Sequence, residues 1–117
     1  MRESVLKEIR KAYMQLLTTK PQFFTAADYS IEQFAADLGT NRSYASRFVN
    51  RELGVTFPVL LNKLRIAHLI RRKSENPKAC MKSLAEECGF NCPFSLRRAF
   101  QKEYDMLPSE YFRNMGK

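Results

Sequence analysis

Apolar positions recur at helical spacing along almost the whole chain. Between residues 2 and 18 the apolar side chains fall on one side of a helix and the charged side chains on the other, which predicts an amphipathic first helix. Later stretches show the same spacing and are bordered by glycine or proline. No alternating pattern typical of a β-hairpin occurs. The pattern therefore predicts an all-α fold of seven helices.

These helices are expected to form two helix-turn-helix subdomains joined by a long central helix. Residues 1–28 hold the first helix and a connection that packs on the first subdomain, and residues 29–56 form the first helix-turn-helix. Residues 57–73 form the linking helix, and residues 74–117 form the second helix-turn-helix with a short C-terminal helix. The linking helix is expected to bury one apolar stripe: Phe57, Leu60, Leu61, Leu64, Ala67 and Leu69 or Ile70.

The two helix-turn-helix segments repeat one pattern 50 residues apart. Each copy has four small or apolar side chains on one helical face, followed by a glycine that can end the helix with a positive φ. The repeated positions are Ile31, Phe34, Ala35, Leu38 and Gly39 in the first copy, and Met81, Leu84, Ala85, Cys88 and Gly89 in the second. Asn41 and Asn91 are expected to be the N-caps of the helices that follow.

The second turn is longer by one residue. Arg47 lies eight positions after Gly39, whereas Arg98 lies nine positions after Gly89. Aligning the two arginines predicts that Ala45 and Val49, and likewise Leu96 and Phe100, are buried. The remaining side chains then point outward: Arg42, Ser43, Ser46, Arg47 and Asn50 in the first copy, and Phe94, Ser95, Arg97, Arg98 and Lys102 in the second.

These outward sets contain the residue types that read base edges in duplex DNA. Arginine can grip guanine O6 and N7 with two hydrogen bonds, asparagine can do the same for adenine, and serine or an aromatic ring can meet neighbouring edges or a thymine methyl. The helix starts at Asn41 and Asn91 can bind phosphate through backbone N–H groups. Exposed arginines are often simply solvated, and Tyr44 and Phe94 are equally well explained as packing residues.

The charge balance favours a polyanionic partner. The 117-residue chain has 20 Lys and Arg against 12 Asp and Glu, a formal net charge of +8. Residues 1–56 hold eight basic and six acidic side chains, and residues 57–117 hold twelve and six. Duplex DNA fits this surplus, although a solubilising surface produces the same balance.

The remaining chemistry of the chain is sparse. Three cysteines cannot all pair and no leader precedes the fold, which favours a reducing, cytoplasmic setting, and no apolar run is long enough to span a membrane. Cys88 and Cys92 are separated by the break at Gly89, and the single His68 is distant in sequence, so no metal site is expected. Without a nucleophile motif, paired carboxylates or a glycine-rich phosphate loop, we expect neither an enzyme nor a cofactor.

Over roughly residues 29–113 the chain resembles the DNA-binding domain of AraC-type bacterial transcription regulators. The matching stretches are Phe34-Ala35 through Gly39; Tyr44 to Arg47; Phe57 leading to Asn62-Lys-Leu-Arg65-Ile66; Leu84-Ala85 through Gly89-Phe90; Arg98-Ala-Phe100-Gln-Lys102; and Leu107-Pro108-Ser-Glu-Tyr111. Asp105 stands where the family usually has glycine, so we expect it to adopt a left-handed turn.

The resemblance implies a sequence-specific regulator that places two recognition helices in successive major-groove segments of an operator. It also implies RNA polymerase as a partner, and a sensor or dimerisation domain on the N-terminal side, for which residues 1–28 are too short. A non-specific architectural DNA binder and a helical protein-interaction module remain the alternatives. Binding of a protein partner with an affinity that does not depend on salt would favour the protein-interaction module.

Overall fold

The computed structural model describes residues 2–115, and within them the fold is all-α with no strand. This confirms the predicted fold class. The seven helices are α1 (Glu3–Thr19), α2 (Ile31–Leu38), α3 (Arg42–Phe48), α4 (Phe57–Glu75), α5 (Met81–Glu87), α6 (Pro93–Tyr104) and α7 (Pro108–Met115). A short 3₁₀ turn, Phe23–Thr25, lies between α1 and α2, and a π-helical segment, Val49–Leu53, continues α3. The chain divides into two compact units, with the boundary between Leu61 and Asn62 inside α4.

Side-chain caps define the starts of α2 and α3. The hydroxyl of Ser30 accepts a hydrogen bond from the backbone N–H of Gln33 at 3.2 Å, and the Gln33 side chain accepts one from the N–H of Ser30 at 2.8 Å. This reciprocal capping box satisfies two N–H groups that have no partner inside the helix. Asn41 caps α3 as predicted, because its Oδ1 accepts from the N–H of Tyr44 at 2.9 Å.

Glycine ends both elements of the first helix-turn-helix. Gly39 has φ 72° at the end of α2, and Gly54 has φ 69° after the π-helical segment. Both values lie in the left-handed region, where side chains with a Cβ are strained. The turn at Gly39 therefore directs the chain into α3, and a residue with a Cβ would adopt this backbone conformation less readily.

An aromatic cluster holds α1, α2 and α3 together. Tyr13 of α1 meets Phe34 of α2 edge-on at 6.0 Å and Phe48 of α3 at 5.5 Å between ring centroids. Phe34 and Phe48 are almost fully buried. Rings at these separations and angles gain about 0.5–1.5 kcal/mol beyond their burial. The first helix therefore packs on the first helix-turn-helix, and its polar face remains exposed.

The second unit has its own core around Phe100 and Leu69, both fully buried. One prediction fails here: the N-cap of α6 is Cys92, and Asn91 lies in the preceding turn. Pro93 occupies the first helical position, where its fixed φ suits the helix and its missing N–H costs nothing. This placement moves the cap one residue along the chain, and the Cys92 side chain forms no capping hydrogen bond. Asp105 ends α6 with φ 56°, as expected.

The apolar stripe predicted for α4 is also partly wrong. Ala67 is exposed, whereas Arg65 and His68 are buried beside Ile66 and Leu69. The first residues of α4, 57–61, belong to the first unit, whereas Ile66 and Leu69 belong to the core of the second. Because the start of α4 and its later residues serve different cores, the buried positions do not continue along one side of the helix.

Among residues 2–115, no single helix has both the length and the apolar character needed to cross a membrane; one bent pair, Arg42–Leu53 with Phe57–Glu75, passes that test only when taken together.

Candidate nucleic-acid interface

The outward face of α3 is fixed by buried side chains on its other face. Ala45 and Val49 have no exposed surface. The predicted outward side chains are accordingly accessible: four are exposed and one is half-buried, namely Arg42, Ser43, Arg47 and Asn50, and Ser46. A polar surface therefore runs along α3 and the start of the π-helical segment.

A shallow groove borders one edge of this face. Arg42, Ser46 and Asn50, spaced four residues apart, line it together with Ile31 of α2 and the first residues of α4. Four-residue spacing places side chains on one side of a helix, so these three groups point along the same edge. A guanidinium, a hydroxyl and an amide thus lie in one row, and each can form hydrogen bonds with the edge of a base.

Arg42 has a protein partner at this edge. Its Nη1 lies 3.0 Å from Oε1 of Glu32, with the two side chains 71% and 59% exposed. An ion pair this accessible contributes only about 0.2–1 kcal/mol. Arg42 can therefore exchange the carboxylate for another anion at small cost.

The outward face of α6 is held in the same way. Leu96 and Phe100 are buried, as predicted, and Arg97, Arg98 and Lys102 are exposed. Ser95 is half-buried, with its hydroxyl 3.4 Å from Sγ of Cys92. The face is strongly cationic, unlike the more mixed face of α3.

Phe94 is the most exposed large apolar side chain of this face. It is 70% exposed in the first turn of α6, so the alternative that it is a partly buried packing residue is wrong. Tyr44 on α3 is half-buried, which leaves part of its ring in contact with protein. The exposed ring of Phe94 is three and four positions before Arg97 and Arg98, so it lies on the same side of α6 as these cations.

Ion pairs separate the basic residues into two groups. Arg10 binds Glu52 at 3.1 Å, Lys63 binds Glu103 at 2.8 Å, and Arg72 binds Glu87 at 2.7 Å and Glu75 at 3.3 Å. By contrast, within residues 2–115 no ion pair involves the outward cations of the two second helices beyond Arg42: Arg47, Arg97, Arg98 and Lys102. These four cations on the two predicted recognition faces therefore keep a charge that no carboxylate among the described residues neutralises, as do exposed cations elsewhere such as Lys7 and Lys11.

The two predicted N-cap asparagines have different positions. Asn41 lies at the start of α3, where its side-chain oxygen is already used by the cap. Asn91 lies one residue before the N-cap of α6. At Cys92, the hydroxyl of Ser95 and nearby backbone N–H groups lower the pKa of the thiol. The start of α6 therefore carries an exposed thiol rather than an amide.

A cluster that the sequence did not indicate lies at the end of α5. Side-chain ligand atoms of His68, Glu87 and Cys88 lie within 4.8 Å of one another. Arg72 already binds Glu87, and Nη2 of Arg71 lies 2.9 Å from Nδ1 of His68. A metal cation there would face two guanidinium groups, so we assign no metal to the cluster. No spacing signal in the sequence links residues on α4 to residues twenty positions further along.

Comparisons with known proteins place this arrangement among solved structures. A family model described as a helix-turn-helix domain matches residues 34–114. The C-terminal domain of AraT, a response regulator from Geobacillus stearothermophilus, is similar with a TM-score of 0.74 and 25% identity, covering 92% of this chain and 84% of that one.

Two further structures share the fold. The DNA-binding domain of AdpA, a global transcriptional factor in complex with a target DNA, has a TM-score of 0.71 and 20% identity, covering 91% of this chain and 90% of that one. A DNA-binding transcriptional dual regulator from Escherichia coli K-12 has a TM-score of 0.72 and 18% identity, covering 92% of each chain. A search of curated proteins gives no significant match.

Proposed function

The chain belongs to the AraC-type helix-turn-helix family, and from this membership we propose that it binds duplex DNA in a sequence-specific manner as part of a transcription regulator. The observation that carries the proposal is the pair of outward faces on α3 and α6. Each lies opposite a buried side of its helix, and each presents exposed arginine that no carboxylate among the described residues neutralises, namely Arg47 on α3 and Arg97 and Arg98 on α6.

The chemistry of the α3 face suits direct reading of bases in a major groove. Arg47 would donate two hydrogen bonds to a guanine, and Asn50 would pair with an adenine edge. Ser43 and Ser46 can donate to or accept from neighbouring edges, which makes them tolerant contacts. Arg42 would leave Glu32 and bind either a base or a phosphate.

The α6 face would read a second groove segment with different chemistry. Arg97, Arg98 and Lys102 supply cations, and Ser95 supplies a hydroxyl. The exposed ring of Phe94 fits a thymine methyl, the apolar group that the major groove presents. Because the two faces differ in composition, we propose that the site is asymmetric, with one half-site read by each unit.

Helix starts are proposed to contribute backbone contacts. Phosphate contacts position a protein on DNA, whereas base contacts specify the sequence. Asn41 and Asn91 stand beside the starts of α3 and α6, and we retain them as residues near the phosphates. Asn91 would act from the turn rather than from a cap.

Partners beyond DNA are proposed by analogy with the family. We propose RNA polymerase as a partner and a sensor or dimerisation domain on the N-terminal side. We propose that the protein acts in the cytoplasm. The similar AraT unit is the C-terminal domain of a response regulator, which supports the idea of a preceding domain. The family consists of DNA-binding regulators, so we propose no catalytic activity.

Selection of binding sites from random duplex DNA, followed by footprinting, tests the proposal. Arg47→Ala and Arg98→Ala are each expected to weaken binding to the selected site by about 1–3 kcal/mol, or roughly 5- to 150-fold, and to relax base preference in different half-sites. Arg113→Ala, on α7 and outside both faces, is the control and should leave base preference unchanged. The wild-type protein should prefer its site over random duplex by about 10³ or more at fixed salt.

Two results would contradict this function. Equal weakening on all duplexes by both arginine variants would assign Arg47 and Arg98 to phosphate contacts and favour a non-specific architectural role. Protection of a single groove segment would rule out reading by both helices.

A further inference from the structure

The start of α1 lies beside the recognition face of α3. Arg2, the N-cap of α1, and Val5 in its first turn line one shallow groove together with Tyr44 and Arg47 of α3. All four residues belong to the first unit. The sequence did not indicate this arrangement, since the two pairs are about 40 positions apart.

The lining of this groove is cationic. Arg2 and Arg47 are both exposed, and within residues 2–115 neither forms an ion pair with a carboxylate. No acidic side chain lines the groove. Two arginines, one just before α1 and one on α3, therefore line one space, and an anion placed between them would be attracted by both. The half-buried Tyr44 adds a phenol that can donate a hydrogen bond.

We propose that Arg2 binds a DNA phosphate beside the base pairs that Arg47 reads, so that the start of α1 is part of the DNA interface. This inference rests on the proposed function, because it takes α3 as a recognition helix. Phosphates line both edges of the major groove, so a cation held beside a helix in that groove meets the backbone rather than a base edge. Sharing of the groove with Arg47 is what favours DNA over an acidic protein as the occupant.

The salt dependence of DNA binding distinguishes a phosphate contact from a base contact. Arg2→Ala should weaken binding to the selected site and to random duplex by the same factor, about fivefold at 0.15 M salt with little change at 1 M. The slope of log K against log salt should become less steep by about 0.9, the value for one lost phosphate contact. Arg2→Lys should retain most of the affinity, because lysine also binds phosphate as a point charge.

Lys11→Ala is the matched control. Lys11 is also exposed on α1, and nine residues after Arg2 its side chain leaves the opposite side of the helix. This variant removes the same charge and should keep the wild-type slope. Thermal unfolding of both variants should match wild type, since Arg2 and Lys11 are exposed.

Arg47→Ala separates failure of this inference from failure of the proposed function. If Arg2→Ala behaves like Lys11→Ala while Arg47→Ala loses base preference, Arg2 makes no contact and the inference is wrong. If Arg2→Ala alters base preference, it reads a base and the phosphate assignment is overturned. If Arg47→Ala also has no effect, the recognition role of α3 itself is wrong.

Discussion

Replacing Glu32 by glutamine is expected to strengthen DNA binding through Arg42. The carboxylate of Glu32 lies 3.0 Å from the guanidinium of Arg42, at the edge of the α3 face. In the proposed complex Arg42 must leave this carboxylate before it can contact DNA. Glutamine keeps the size of the side chain and removes the charge that competes with DNA for Arg42.

The size of the effect follows from the exposure of the pair. Both side chains are more than half exposed, so solvent screens their attraction and the pair contributes about 0.2–1 kcal/mol. Binding no longer has to break this pair in Glu32→Gln. The dissociation constant should therefore fall by about 1.4- to 5-fold at low salt. The gain should shrink as salt rises, because exposed charges are screened.

Fluorescence anisotropy with a labelled copy of the selected site measures this change. Glu32→Gln is also made in an Arg42→Ala background, where no ion pair is present. There the substitution can change the affinity only by removing a negative charge near the DNA. Glu8→Gln provides a control for net charge, because Glu8 is exposed on α1 and forms no ion pair among the described residues. The gain in DNA affinity from Glu32→Gln in the wild-type background should exceed both the gain from Glu32→Gln in the Arg42→Ala background and the gain from Glu8→Gln.

Two outcomes would refute the reasoning. An equal gain with and without Arg42 would mean that Glu32 acts by simple repulsion and that Arg42 is not released to DNA. A loss of affinity would mean that Glu32 instead holds Arg42 in the orientation that DNA requires.

Three further predictions concern thiol reactivity, a helix end and acid stability. Cys88 is buried and its pKa is raised to about 12 mainly by burial, whereas exposed Cys80 and Cys92 have lowered pKa values. Iodoacetamide should therefore label Cys80 and Cys92 and spare Cys88, as mass spectrometry would show. Bound DNA should slow labelling of Cys92 more than of Cys80. Asp105→Gly should stabilise the fold by about 0.5–1 kcal/mol in urea unfolding, because glycine adopts the left-handed φ of 56° without strain; unchanged or lower stability would contradict this. Burial lowers the pKa of His68 below its ordinary 6.5, so the unfolded chain takes up the proton first as the pH falls. The free energy of unfolding should therefore decrease as the pH drops below about 6.5. His68→Gln should reduce this pH dependence, and an unaltered pH profile would show that His68 is not its source.

Most helix ends follow from local interactions and were predictable from the chain itself. Ser30 and Gln33 are three residues apart, as are Asn41 and the Tyr44 N–H that it accepts from. Gly39 ends α2 because of its own backbone freedom. Interactions within one helical turn need no knowledge of distant contacts, which is why the helix end predicted at Gly39 and the cap predicted at Asn41 agree with the structure.

The outward faces were also predictable, because burial on a helix repeats with a known period. Ala45 and Val49 define one face, and Leu96 and Phe100 define the other. Which of the exposed residues contact DNA remains a prediction. Exposure is a property of the free protein, and it does not distinguish a base contact from a solvated side chain.

Only the tertiary structure decided which distant groups meet. The pairing of Arg42 with Glu32 and the groove shared by Arg2 and Arg47 depend on how separate helices pack. The burial of His68 in place of Ala67 depends on which side of α4 packs on the core of the second unit. Helical periodicity specifies the direction of a side chain relative to its own helix, but the partner that it meets is set by packing between helices far apart in the chain.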